Sequence, residues 1–321
     1  MTGQIFALIA AMLWSLHVIF ARRAHNKNIQ SANPMDPMIG LFITIFVNNV
    51  INIFVLTFRF FISPPSAPVY VAGVIAIAIV GISNSFLGRG LLFVTVGILG
   101  AARTGLTRAT MPVFVLLGGV LVLGERFSLQ SWVGIGIVFL GLFLMSIDTV
   151  RRENKSHVET TQLDDERKRA ERHRLMKGIA IGMGASMLLG GGSILRKAGV
   201  DILSDTILAV SIDFFTALLA CSIVLIIRGK GRDMIRAVKN IEFNYMMSGV
   251  SASAGLFAMV YSLSLIPVAI TNSITATEPL FTILFVWLMK EGKKEKLGIQ
   301  TLIFGVIIVT GTLILITSGT N

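Results

Sequence analysis

Residues 38–58 read MIGLFITIFVNNVINIFVLTF, a run of 21 residues without a charged side chain. A helix of roughly 20 apolar residues is long enough to cross the hydrocarbon core of a bilayer. Backbone N–H and C=O groups find no water there, and an α-helix pairs them within its own segment. This stretch therefore predicts a membrane-spanning α-helix.

Similar runs recur along the whole chain. Of its 321 residues, 54% are hydrophobic and only 14% are charged, whereas a soluble chain carries roughly a quarter charged residues. Short charged clusters separate the apolar runs, which is typical of repeated membrane crossing. The predicted spans are 4–21, 38–58, 69–90, 101–123, 130–147, 178–195, 205–227, 245–264, 268–289 and 297–317. The predicted fold class is an all-α membrane protein with ten transmembrane helices.

Composition also excludes several classes of protein. The net charge is +11, but most Lys and Arg residues lie between apolar runs, so they predict membrane orientation and not nucleic-acid binding. The single cysteine, Cys221, excludes an intramolecular disulfide. The first apolar run lacks the basic lead-in of a signal peptide and is interpreted as a permanent span. The predicted location is the cell inner (plasma) membrane, as a multi-pass protein.

Residues 148–177 are too highly charged to enter a membrane. They include RRENKSHVETTQLDDERKRAERHR, and we interpret them as a solvated linker that is partly helical through pairs such as Asp165–Arg169. The linker divides the chain into two five-span halves, residues 1–147 and 178–321.

The two halves resemble each other in sequence. GQIFALIAAMLWSLHVIFARR from Gly3 matches GIAIGMGASMLLGGGSILRKA from Gly178, and PVFVLLGGVLVLGE (112–125) matches PLFTILFVWLMKE (279–291) with one gap. Gly134 and Gly298 then open the last span of each half. An odd number of spans in each half gives the halves opposite orientations, so the repeat is predicted to be inverted, as alternating access requires.

These residues carry a family resemblance. The Pro-x-Phe run that leads to Leu123-Gly124-Glu125, followed by Gly134, resembles the signature region of an EamA domain in the drug/metabolite transporter superfamily. Residues 279–291 with Gly298 resemble a second copy, in which Lys290 replaces the usual small residue. The resemblance implies a ten-helix transporter with a central cavity and does not identify the substrate.

Charged groups inside the spans are the strongest indicators of a site, because each costs at least a few kcal/mol without a partner or water. Glu278 lies at mid-depth in the ninth span and precedes Pro279, which removes a backbone donor and favours a bend. It is predicted to be a proton-titrating or cation-binding carboxylate, or alternatively a packing residue paired with an arginine. Its counterpart in the first half is Met111.

Three arginines and a second carboxylate also lie within predicted spans. Arg103 is predicted to extend to the interface, whereas the deeper Arg108 is a candidate for lining a cavity. Arg89, near the end of the third span, is a further candidate, with an interfacial position or an ion pair as alternatives. Asp213 is predicted to pair with one of these arginines or to titrate by itself.

Other polar and aromatic residues complete the candidate set. Trp14, His17 and Tyr261 are candidates for substrate contact, with packing as the alternative for each. Asn48 is a further candidate for substrate contact, with helix joining as its favoured role. Other amides and small residues are predicted mainly to join helices; they are Asn49, Asn52 and Gly190–Gly192. Glu125 and Glu291 are interpreted as interfacial carboxylates paired with Arg126 and Lys293, and alternatively as gating residues.

The predicted function is secondary active transport, by alternating access, of a small polar or amphipathic metabolite that is amino-acid-like or an organic anion. The excess of arginines over carboxylates within the spans favours an anionic group, and export is the predicted direction. The partners are the substrate, the lipid bilayer and, as a hypothesis, protons coupled through Glu278; the oligomeric state is left open. The alternative is a membrane scaffold or a lipid-handling protein.

Catalysis is not predicted. The sequence has no phosphate loop, metal-ligand cluster or catalytic triad spacing, so neither a cofactor nor a metal is expected.

The distribution of basic residues predicts the orientation. The loops after spans one, five, seven and nine contain 21 Lys and Arg residues, against four in the loops after spans two, four, six and eight. Those four are Arg59, Arg126, Arg196 and Lys197. Basic loops stay in the cytoplasm, so residues 148–177 and 228–239 are predicted to be cytoplasmic and both termini external, opposite to the family's usual orientation.

Overall fold

The computed structural model describes residues 1–30, 35–62, 69–99, 110–157, 165–289 and 299–317, together with Thr104, Thr107 and Arg108. Every regular element in these residues is helical. The α-helices are α1 (Thr2–Ile29), α2 (Pro37–Ile62), α3 (Val71–Val80), α4 (Arg89–Leu99), α5 (Met111–Leu121), α6 (Leu129–His157), α7 (Asp165–Leu203), α8 (Thr206–Ile227), α9 (Gly231–Lys239), α10 (Phe243–Leu265), α11 (Val268–Thr275), α12 (Glu278–Leu288) and α13 (Ile299–Thr317). A π-helical segment, Gly81–Gly88, joins α3 to α4.

The helices have the length and composition of membrane spans. Among the described residues, seven helical stretches are long and apolar enough to cross a bilayer, and Met111–Leu121, Leu129–Met145 and Ile303–Thr317 are shorter apolar helices. Large apolar side chains such as Phe54 and Phe215 lie exposed on the outside of the bundle. An exterior of this kind is stable in contact with lipid but not with water. The chain is therefore a multi-pass membrane protein.

Helix α7 extends further than the sequence predicted. The sixth span was expected to end at residue 195, but α7 continues to Leu203. The chain turns at Ser204, which has a positive φ, and the Asp205 carboxylate then accepts a hydrogen bond from the backbone N–H of Leu208 as the N-cap of α8. The assignment of Arg196 and Lys197 to a loop is therefore wrong, since both lie within α7.

Helices also cover much of the predicted linker. Helix α6 continues to His157, and α7 begins at Asp165. Residues 158–164 lie outside the described part of the chain.

The third span is continuous through its π-helical segment. Helical structure runs from Val71 to Leu99, past the end predicted at residue 90. At Gly81 an added Cβ would lie 1.9 Å from the Thr216 side-chain oxygen, so a glycine is needed where this segment approaches α8. Segments of π-helix often occur at functional sites. Arg103, which was predicted to extend to the interface, lies outside the described residues.

Helices are interrupted at corresponding places in the two halves. The break between the eighth and ninth spans falls at Ile266–Pro267, as predicted from Pro267. Within the ninth span, α11 ends at Thr275 and α12 starts at Glu278, directly before Pro279. In the first half, Thr110 forms a turn and α5 begins at Met111, directly before Pro112. Proline favours the first turn of a helix because it lacks an N–H donor.

The interior of the bundle forms where these helices pack. Helix α1 packs against α10, α11 and α12, and α7 packs against α3, α4, α5 and the π-helical segment. Helix α2 contacts α8 and α10, α6 contacts α13, and α5 contacts α11. The fourth span (α5) therefore packs against the long helix α7, and the ninth span (α11 and α12) packs against the long helix α1.

Candidate functional site

An ion pair joins the two interrupted spans. Arg108 Nη2 lies 2.9 Å from Glu278 Oε2, and Nη1 lies 3.4 Å from Oε1. The Glu278 side chain is 9% exposed and that of Arg108 is 39% exposed. The pair is bidentate, which is the strong geometry for a guanidinium and a carboxylate, and one of its members remains accessible.

Local structure fixes the Glu278 end of this pair. Glu278 is the first residue of α12, where the partial positive charge of a helix N-terminus stabilises a carboxylate. Its backbone carbonyl accepts hydrogen bonds from Ser15 Oγ at 2.6 Å and Thr282 Oγ1 at 3.0 Å. Helix α1 is thus tied to the break in the ninth span, one residue after Trp14.

A second ion pair is fully buried. Arg196 donates from Nε at 3.1 Å and from Nη2 at 2.8 Å to Asp213 Oδ2, and both side chains are 2% exposed. Ser85 Oγ, from the π-helical segment, donates to Asp213 Oδ1 at 2.5 Å. This network connects α7, α8 and the third span.

Arg196 is the charged residue that the sequence interpretation missed. Asp213 was predicted to pair with Arg89, Arg103 or Arg108, and its observed partner is instead Arg196. A signal for this was available, because Ser204-Asp205-Thr206 is a helix-start pattern that places the turn at residue 204 and Arg196 within the membrane.

Arg89 lies between the two ion pairs. It is partly buried, and electrostatic interactions couple it to Asp213, Arg196, Arg108 and Glu278. Its guanidinium carbon lies 5.6 Å from the centroid of the Trp14 ring, a cation–π distance. The helix continues for ten residues beyond it to Leu99, so Arg89 does not occupy a helix end.

Trp14 and His17 face α10 from α1. An added Cβ at Gly255 would lie 2.1 Å from Trp14 Cδ1, so this glycine makes room for the indole ring. His17 Nδ1 lies 2.8 Å from Ser248 Oγ and 3.0 Å from the Ser248 carbonyl oxygen. Electrostatic interactions couple His17 to Arg89 and Arg108. The structure therefore brings together Trp14, His17, Arg89, Arg108 and Glu278.

The asparagines of α2 lie on interhelical hydrogen bonds. Asn49 Nδ2 donates to the Phe214 carbonyl at 2.8 Å, and Asn52 Oδ1 accepts from Ser211 Oγ at 3.1 Å. With its amide oriented to satisfy both groups, Asn48 donates to the Gly249 carbonyl. These contacts tie α2 to α8 and α10, as the interpretation of amides as helix-joining groups expects.

Two of the three consecutive glycines make close helix contacts. An added Cβ at Gly190 would lie 2.9 Å from Phe114 Cβ, and one at Gly192 would lie 2.5 Å from Asn84 Nδ2. Gly191 faces open space.

Tyr261 and Glu125 lie apart from the charged cluster. Tyr261 stacks edge-on against Phe6 with ring centroids 4.5 Å apart, and its side chain is 41% exposed. Glu125 was expected to pair with Arg126, but its Oε1 accepts a hydrogen bond from the Val268 N–H at 2.6 Å and so caps α11. Burial raises the pKa of Glu125, despite that hydrogen bond. Glu291 and Lys293 lie outside the described residues.

A groove on the outer surface does not include the charged residues. It has a volume of about 260 Å³ and runs between the π-helical segment and α7, lined by residues such as Ser83, Met187, Gly191 and Leu195. Within the described part of the chain, no group of three or more His, Cys, Asp or Glu residues could hold a metal ion. Chemically, the charged cluster is suited to binding a polar or anionic organic group.

The family is decided by the match along both halves. The model of the EamA-like transporter family matches residues 1–147 and 176–317. The chain belongs to this family. That result confirms the resemblance drawn from the motifs around Glu125 and Glu291, and it makes this chain a membrane transporter of the drug/metabolite type.

Solved structures support the fold. One of them is a crystal structure of a protein that is 13% identical in sequence to this EamA-family chain. The alignment covers 98% of this chain and 96% of the other, with a TM-score of 0.66. In all, 24 chains of solved structures match. No curated protein matches this chain. At this identity the structural likeness supports the fold alone.

Proposed function

We propose that this EamA-family protein is a secondary active transporter that exports a small polar or amphipathic metabolite, amino-acid-like or an organic anion, across the inner (plasma) membrane. The observation that carries the proposal is the Arg108–Glu278 pair, in which each interrupted span contributes one charge at its break. Transporter sites are commonly built near the midplane at irregular positions in the spans, where charged groups can meet the substrate.

Two structurally similar halves can exchange conformations in alternating access, and the helix contacts support such a repeat. In the proposed repeat, each helix of the first half has an equivalent in the second half. The equivalent helices are α1 and α7, α2 and α8, α3 and α10, α5 and the pair α11 and α12, and α6 and α13. The contact of α1 with α10 then becomes that of α7 with α3, and the contacts of α1 with α11 and α12 become that of α7 with α5. The contacts α2–α8, α6–α13 and α5–α11 map onto themselves. This is the pattern expected of ten spans arranged as two inverted five-span repeats.

Proton coupling through Glu278 is the proposed energy source. Protonation of this carboxylate would remove the negative partner of Arg108 and so alter the charge of the site. In proteoliposomes, Glu278→Gln is expected to lower the transport rate and flatten its pH profile. An unchanged rate with an unchanged profile would show that Glu278 has no coupling role.

One observation favours the competing class, lipid handling. The groove between the π-helical segment and α7 is open on the outer surface, has a volume of about 260 Å³, and has the apolar residues Met187 and Leu195 in its lining. Comparison of accumulated metabolites in cells with and without the protein separates the two functions. A soluble metabolite that accumulates only in cells without the protein supports export, whereas a change confined to lipids supports lipid handling.

The proposed orientation places the segment 148–177 in the cytoplasm. The tally of 21 basic residues against four supports this orientation, and of those four Arg59 lies in the last turn of α2 and Arg196 and Lys197 lie in α7. After Cys221→Ser, a Ser156→Cys variant should resist an impermeant thiol reagent in intact cells and react in inverted vesicles. Labelling in intact cells would indicate the family's usual orientation instead.

A further inference from the structure

The charges inside the bundle do not balance. Arg108 is neutralised by Glu278, and Arg196 by Asp213. Among the described residues, no carboxylate lies within ion-pair distance of Arg89, and the only carboxylates that act on it electrostatically are the two already paired with other arginines. An uncompensated charge at membrane depth is costly and usually marks a functional group. The described residues of this cluster, namely Arg89 and the two ion pairs, therefore carry a net charge of +1.

Trp14 determines how Arg89 can bind a partner. The Arg89 guanidinium carbon lies 5.6 Å from the centroid of the Trp14 ring, a cation–π distance at which the ring positions the cation but does not neutralise its charge. Trp14 Nε1 is itself buried without a hydrogen-bond partner among the described residues. Trp14 Nε1 lies beside Gly255 on α10, so the donors that Arg89 offers to acceptor oxygens are its own charged N–H groups.

We propose that Arg89, positioned by Trp14, binds the anionic group of the transported molecule, and that this molecule carries a single net negative charge. This rests on the proposed function and narrows its substrate class from amino-acid-like or anionic compounds to organic monoanions such as monocarboxylates. With the anion bound, three positive groups face three negative ones, and the loaded site is neutral when it closes to water.

The charge balance predicts a definite order of binding. A neutral molecule or a zwitterion leaves the net charge of +1 in place, and a dianion replaces it by −1. Both leave an uncompensated charge in a medium of low dielectric constant. A monoanion is the only one of these classes that removes the imbalance.

The test uses four probes with the same six-carbon backbone: hexanoate, hexanamide, 6-aminohexanoate and adipate. Purified protein in detergent is titrated with each probe, and the shift in unfolding temperature is measured. Hexanoate should stabilise the protein at concentrations about tenfold lower than the other three, as expected for one charge-assisted interaction. Equal effects of hexanoate and hexanamide, or no effect of hexanoate, would overturn the proposal.

Variants locate the effect within the bundle. Arg89→Gln should abolish the preference for hexanoate over hexanamide, and Arg89→Lys should retain it. Trp14→Phe should preserve the preference and Trp14→Leu should reduce it, because only a ring can position the guanidinium. Arg228→Gln, at an exposed arginine beyond the end of α8, is the matched control and should behave as the wild type. A preference that survives in Arg89→Gln would assign the anion to another residue and overturn the proposal.

The two proposals fail differently. If the cell comparison identifies a cationic or neutral metabolite whose export does not depend on Arg89, the function stands and the monoanion site is wrong. If hexanoate binds through Arg89 but reconstituted protein moves no metabolite, the site stands and the transport function is wrong.

Discussion

Two ion pairs among the described residues, Arg196–Asp213 and Arg108–Glu278, combine the same types of charged group in different surroundings. Arg196 and Asp213 are each 2% exposed, and Asp213 has Ser85 as a further partner. Arg108 is 39% exposed and meets Glu278 at the break of a helix. A pair excluded from water and satisfied on several sides can serve only to hold helices together. A pair with one accessible member is free to exchange its partner for a substrate group. We therefore propose a structural role for the buried pair and a substrate-binding role for the accessible one.

The largest expected effect comes from breaking the buried pair. Arg196→Met leaves the Asp213 carboxylate buried without its counterion, and loss of one partner of a buried pair costs about 3–5 kcal/mol. We expect a large fall in unfolding temperature and poor yield of folded protein in detergent. The double variant Arg196→Met/Asp213→Leu should recover much of this stability, since it leaves no charge behind. A single variant as stable as the wild type would contradict the structural role.

Breaking the accessible Arg108–Glu278 pair should affect transport more than stability. Arg108→Gln is expected to destabilise the protein less than Arg196→Met, because Arg108 is 39% exposed whereas Arg196 is 2% exposed. Transport should nevertheless fall strongly, since the site loses a charge at the helix break. Unfolding temperature and initial transport rate, measured on the same preparation, check both expectations. If Arg108→Gln proved as destabilising as Arg196→Met, exposure would not distinguish the two pairs.

The sequence predicted the membrane helices and most of the charged residues within them, but not which charged residues form ion pairs. Uncharged runs such as residues 38–58 identified the membrane helices, and Pro267 located a helix break, because both signals are local. Arg108 and Glu278 were singled out individually, but they are separated by 170 residues, and only the packing of the two halves brings them together. Arg196 was missed because the expected length of a span placed the helix end at residue 195, whereas the capping pattern at Ser204-Asp205 determines the end.

A third ion pair, between Lys27 and Glu242, is more exposed than the other two and is expected to contribute least to stability. Lys27 Nζ lies 3.1 Å from Glu242 Oε1, with side chains that are 70% and 22% exposed. Glu242 Oε2 also accepts hydrogen bonds from the backbone N–H groups of Asn244 and Tyr245 and so caps α10. Lys27→Met should change stability by less than about 0.5 kcal/mol, the range of exposed pairs.

The pKa of Glu242 predicts how the stability contributed by this residue changes with pH. Burial by itself would raise the pKa of Glu242, but hydrogen bonds from Lys27, Asn244 and Tyr245 outweigh it and lower the pKa below 4.5. A carboxylate with a lowered pKa stabilises the folded state above its unfolded pKa, and this contribution is lost as the pH falls through the folded value. The difference in unfolding temperature between the wild type and Glu242→Gln should therefore be constant above about pH 5 and decrease below about pH 4. If the difference instead grew on acidification, the N-cap interaction of Glu242 would stabilise the protonated carboxyl group. The Lys27–Glu242 pair would then not belong in a comparison of ion pairs by burial.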